Sequence, residues 1–132
     1  MFEISFVFSA LLFYFIANIN DMEIRYVNNP DEFKSFLLTY LAEADYEVSD
    51  EEKAIILKHV SVENYNHIKR SIDKLSDFEC LDMIESHKNE YLPSHESRLE
   101  LIAEMEQLYA ADHKKSVLER NMILGLKKIL LT

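Results

Sequence analysis

The 132-residue chain has one glycine, two prolines (Pro30 and Pro93), one cysteine and no tryptophan. Strands joined by tight turns need Gly, Pro or Asn-Gly punctuation about every ten residues. Without it, an all-β sandwich or barrel is excluded, and long helices with short joints are expected. A single glycine also excludes a Gly-rich phosphate-binding loop. The lone Cys80 can form no intrachain disulfide and no paired-thiolate zinc site, and it suits a reducing compartment. Positive charge is scarce as well: 14 Lys and Arg face 24 Asp and Glu, for a net charge of −10. A nucleic-acid backbone is bound through clustered Lys and Arg, so this surface would repel one. Cations and basic proteins are the partners that suit it.

Apolar residues make up 48% of the chain, enough to build a core, and the length fits a single domain, residues 1–132. Residues 1–20 stand apart as an apolar N-terminal helix. From Ile4 to Ile19 no residue is charged, yet the run is shorter than the roughly 20 apolar residues of a spanning helix. It lacks the basic flank and small-residue cleavage site of a secretory signal. Three readings stand: a cleaved signal, membrane contact through residues 2–19, and a helix packed in the domain or in a homodimer. The third is preferred.

Polar caps and 3.6-residue periodicity then mark the helices. Asn29-Pro30-Asp31-Glu32 reads as a helix start with Pro at the first position. Phe33, Phe36, Leu37, Tyr40, Leu41 and Ala44 follow on one face. Ser49 to Glu52 is a capping box opening a helix to about His59. Ser61 caps a further helix with Tyr65, Ile68, Ile72 and Leu75 on one stripe. Ser76 to Glu79 is another box, with its helix running to about Tyr91. Pro93-Ser94 breaks that helix and starts the next, to about Ala111, and Ser116 to Glu119 caps the last, to Leu131. With the N-terminal segment, the expected fold is an all-α bundle of about seven helices.

The chain also repeats itself. Residues 41–57, LAEADYEVSDEEKAIIL, lie over residues 108–124, LYAADHKKSVLERNMIL, without a gap. Leu41, Ala44, Asp45, Ser49, Glu52, Ile56 and Leu57 match Leu108, Ala111, Asp112, Ser116, Glu119, Ile123 and Leu124. The first repeat spans 30–74 and the second 77–131, each containing a helix–turn–helix unit. The doubled pattern A-D-x-x-x-S-x-x-E-[KR] in an all-helical chain resembles the TerB-like domains of tellurite-resistance proteins and of membrane-anchored DnaJ-like co-chaperones. The resemblance covers about residues 30–131. Tyr46 and His113 stand where that family usually has Gly. It implies a seven-helix fold, a bacterial, metal-stress setting and an acidic divalent-cation surface, without an established enzyme activity.

Between Glu43 and Glu52 lie six acids in ten residues: Glu43, Asp45, Glu47, Asp50, Glu51 and Glu52. Clustered carboxylates suit hard cations such as Ca²⁺ or Mg²⁺. The candidate ligands are Asp45, Glu47 and Glu52, joined by Asp112 and Glu119 if the two units fold face to face. The alternative is that Glu52 and Glu119 serve only as reciprocal caps of the Ser49 and Ser116 helices. An EF-hand is excluded, because Asp50 stands where its loop needs Gly and Ile56 where it needs Glu. The five histidines form no H-E-x-x-H and no Glu-x-x-His pair, and they read as scattered surface residues. Cys80, beside Glu79 and Asp82, reads as structural. Met105, Leu108, Met122, Leu126 and Ile129 read as core.

The expected function is therefore that of a non-enzymatic, cytoplasmic helical module that binds a divalent cation or a basic protein through an acidic face. The rival is a membrane-associated interaction domain, peripheral to the inner membrane and tethered by its N-terminal segment.

Overall fold

A computed structural model describes residues 10–12, 27–111 and 116–132. All regular structure in these residues is helical. Six α-helices follow in order: α1 (Pro30–Ala42), α2 (Asp50–Ile56), α3 (Val62–Lys74), α4 (Asp77–Tyr91), α5 (His95–Ala111) and α6 (Val117–Leu131). A 3₁₀ turn, Glu43–Asp45, lies between α1 and α2. Residues 10–12 are also helical, with Leu11 and Leu12 exposed. The expectations for the rest of residues 2–19, and for Asp112 and His113, fall outside the described residues. No described helix is long and apolar enough to cross a membrane.

α1 is the central helix. The Asn29 side chain accepts the Glu32 N–H at 2.8 Å, Pro30 occupies the first turn, and Asp31 and Glu32 complement the helix dipole there. From Phe36 to Ala42 every residue is buried, and α1 packs against all five other helices. The single apolar face expected from sequence is therefore too narrow. Leu38 and Thr39 on the opposite side are buried too, because neighbours surround the helix. Burying a side chain such as Phe36, Leu37 or Leu41 is worth about 1.5–3 kcal/mol each.

Ala44, expected on that face, lies in the 3₁₀ turn instead. The turn ends at Tyr46, whose φ of 65° is the one positive φ among the described residues. Its N–H donates to the Glu43 carbonyl at 2.8 Å. A residue with a Cβ held left-handed costs about 1–2 kcal/mol, so Tyr46 does with strain what glycine does freely.

The Ser49 capping box is complete. Its hydroxyl accepts the Glu52 N–H at 3.2 Å, and the Glu52 carboxylate accepts the Ser49 N–H at 3.1 Å. α2 stops at Ile56, short of His59. Tighter three-residue bonds, Lys58 N–H to Ile55 and His59 N–H to Ile56, close its last turn. His59 is not a scattered surface residue. Its side chain is 13% exposed, with Nε2 2.5 Å from Glu104 of α5 and Nδ1 3.5 Å from Asp31 of α1. The ring thus links the end of α2 to two other helices.

Ser61 and Ser76 cap α3 and α4 as expected, and the Ser116 hydroxyl accepts the Glu119 N–H at 3.1 Å at the start of α6. The far end of α6 is held by cations. Buried Lys88 of α4 donates to the Ile129 carbonyl at 2.8 Å, and Arg98 of α5 to the Leu130 carbonyl at 3.2 Å. Positive groups there donate to carbonyls of the last turn, the Ile129 carbonyl accepting the Thr132 hydroxyl as well, and complement the negative end of the helix dipole.

Candidate functional site

A cleft of about 480 Å³ opens where four helices and the 3₁₀ turn meet. Each part reaches it for a local reason. The last turn of α1 presents Tyr40, and the 3₁₀ turn presents Glu43 and, through its left-handed end, Tyr46. The end of α3 contributes Ile72 and Asp73, and its cap residue is Leu75. The start of α4 brings Asp77 and Cys80, and the first turns of α6 bring Leu118 and Met122. Ile72 and Cys80 are buried, so they form an apolar floor beneath a rim of carboxylates.

The rim is electrostatically tense. Glu43 is largely buried, at 15% side-chain exposure, with Lys69 Nζ 3.4 Å from its carboxylate. The same Lys69 lies 3.9 Å from Asp73. Burial, then the Asp73 charge, pushes the Glu43 carboxyl above its ordinary value, against the pull of Lys69. Tyr40 donates its hydroxyl to Asp77 at 3.2 Å, and burial followed by the Asp77 charge raises that phenol. Cys80 is pushed up to about 12, first by burial and then by Asp77, Glu79 and Glu43. A thiol so disfavoured as thiolate is no nucleophile at neutral pH.

The residues proposed from sequence as cation ligands lie differently. Asp45 ends the 3₁₀ turn, where its carboxylate accepts the Glu47 N–H at 3.3 Å, and Glu47 is exposed. Glu52 and Glu119 are 1% and 0% exposed, inside the bundle rather than on an acidic face. Asp112 is outside the described residues. Among the described residues, no three His, Cys, Asp or Glu side chains are grouped so as to hold a metal ion.

Sequence reasoning did not name Asp73, Asp77 or Leu118 as site residues; it placed Tyr40 only on the apolar face of α1, noted Tyr46 only as standing in place of a glycine, and counted Glu43 only as one of six acids. One signal was readable. The first capping box is Ser-Asp-Glu-Glu, with acids in the turn where the dipole favours them. The second copy has Val117 and Leu118 at the matching places, and these are 75% and 62% exposed. The Ser76 box likewise carries Phe78, 77% exposed. Of these three, Leu118 lines the cleft.

Compared with known families, curated proteins and solved structures, the chain gives no significant match to any of them.

Proposed function

We propose that the chain is a non-enzymatic, TerB-like helical module, built from two helix–turn–helix copies, that binds a basic segment of a protein partner in this cleft. The observation that carries the reading is the pairing of an apolar floor with the Glu43, Asp73 and Asp77 carboxylates at one mouth. An aliphatic stem ending in a cation matches both parts, as lysine and arginine side chains do. The net charge of −10 speeds the approach of a basic partner and repels an acidic one. We propose the tellurite or metal-stress setting from the resemblance of the doubled A-D-x-x-x-S-x-x-E-[KR] pattern to TerB-like domains, a resemblance that implies no reaction.

The test is calorimetric titration of the full chain with a lysine–leucine amphipathic peptide, a glutamate–leucine peptide of the same pattern, and CaCl₂ or MgCl₂. The basic peptide should bind, with affinity falling steeply as salt rises, and Asp73→Asn should weaken it. Indifference to both peptides, together with a Ca²⁺- or Mg²⁺-dependent rise in melting temperature, would replace this reading with cation binding.

A further inference from the structure

The last helix leaves one face uncovered. Val117, Asn121, Leu124, Lys128 and Leu131 follow one another at alternating steps of four and three residues along α6, so they share one side of it. All five are exposed, Val117 at 75%, Leu124 at 52% and Leu131 at 48%. The cleft takes a different flank of α6, that of Leu118 and Met122. The single acid of α6, Glu119, is buried. Among the described residues, α6 is therefore the one α-helix without an exposed carboxylate. Gly125 lies beside Leu124 at the middle of this face, exposed, with nothing within 4 Å of the place a Cβ would take. The only glycine of the chain thus weakens a helix interior in which alanine would fit. Close approach of another backbone is what glycine permits at such a place.

A second apolar surface is uncovered as well. Residues 10–12 are helical, with Leu11 and Leu12 61% and 49% exposed. In the sequence these leucines are the middle of a stripe at helical spacing: Ile4, Phe8, Leu11, Leu12, Phe15 and Ile19. The chain is then fixed at Val27 next to the end of α6. Tyr91 donates its hydroxyl to the Val27 carbonyl at 3.2 Å. One turn earlier in α4, Lys88 reaches the Ile129 carbonyl, and Arg98 joins the Leu92 and Leu130 carbonyls.

We infer that residues 4–19 dock as a helix along this outer face of α6 in the same chain, with Leu11 and Leu12 against Leu124 and Gly125.

Length, reach and charge select that occupant. A helix from Ile4 to Ile19 and the face from Val117 to Leu131 each run about 21–23 Å. Their midpoints therefore coincide whichever way the segment runs. Residues 20–26 span at most about 25 Å, enough to carry the chain from beside the last turn of α6 to either end of it. The segment carries no charge from Ile4 to Ile19, and it meets the one helix face with no carboxylate to desolvate. Lys128 keeps its ammonium in water by extending past the contact. A basic partner of the cleft would find no acid here. A second copy would bring its own ten surplus negative charges.

The experiment uses the full chain, isotope-enriched, with a nitroxide on Ala10→Cys. Ala10 is exposed, and helical spacing puts it opposite the stripe, so the label stays out of the contact. Wild type, whose one cysteine is buried, is the control. The nitroxide should broaden the amide signals of Leu124 and Gly125 most strongly, and equally after dilution into unenriched, unlabelled protein. Gly125→Leu places a bulky side chain where the helices meet and should remove this broadening. On a face that nothing covers, the same change would raise the melting temperature by about 3–5 °C, because leucine is the better helix former. Absence of broadening at Leu124 would overturn the inference, as would that rise with the broadening unchanged. Broadening seen only when spin-labelled, unenriched protein is mixed with enriched, unlabelled protein would assign the face to a second copy and overturn it. Co-sedimentation with phosphatidylcholine–phosphatidylglycerol vesicles, with no broadening of α6 in buffer, would assign the segment to lipid and overturn it too.

Discussion

Tyr46 and Cys80 illustrate how single residues trade stability for surface and reactivity. Tyr46 takes a left-handed conformation that costs about 1–2 kcal/mol for a residue with a Cβ, and its side chain is 96% exposed, so it recovers nothing in the core. What it gains is a ring beside the cleft. Cys80 is the reverse case, a thiol at the cleft floor but only 1% exposed. Burial, with Asp77, Glu79 and Glu43 nearby, sets its pKa at about 12, so the thiolate fraction at neutral pH is very small. Iodoacetamide at neutral pH should therefore leave Cys80 unmodified in the native protein and label it rapidly in urea, as followed by intact mass. Labelling at the same rate in both states would show that the floor is open to reagents.

At the scale of elements, the helices are set by their ends. Asn29, Ser49, Ser61, Ser76 and Ser116 each accept a backbone N–H three residues on, satisfying donors that the helix itself cannot. In the Ser49 and Ser76 boxes the glutamate returns the bond. Ser49→Ala and Ser76→Ala should each cost about 0.5–2 kcal/mol in urea melts. The Ser49 change is expected to cost more, because its partner Glu52 is buried and water is a poorer substitute there than at exposed Glu79. Equal and negligible losses would mean that packing alone holds these helix starts.

Over the whole molecule, carboxylates outnumber cations, and their crowding at the cleft ties stability to pH. Glu43 has a raised pKa in the folded protein, from burial and then from Asp73. The native state thus holds this proton more tightly than the unfolded chain does. By linkage, the contribution of Glu43 is most favourable below the unfolded carboxylate value and is lost as pH rises through the raised folded value. Melting temperatures of wild type and Glu43→Gln, compared from about pH 4 to about pH 7, should show the wild type losing ground as pH rises. A constant difference would mean that Lys69 fully offsets the burial and the Asp73 charge. Glu106 runs the other way. Its bond to Lys127, and then Arg120 nearby, lower its pKa, so its small exposed contribution fades as pH falls.

The order, caps and main breaks of the helices were legible in the chain itself, because helix ends are local chemistry. A serine three residues before a glutamate, or a proline after an asparagine, acts on its own backbone wherever the helix later packs. The cleft was not legible in the same way. Asp73 and Asp77 flank the short α3–α4 joint, but Glu43 is thirty residues away in sequence, and only the packing of α3 and α4 around α1 brings all three to one mouth. Burial was decided at the same level. Glu52 and Glu119 look like surface acids in a sequence with ten surplus negative charges, yet both lie inside the bundle. Local spacing determines which backbone group a side chain caps, whereas the neighbours that exclude water from it come from distant helices.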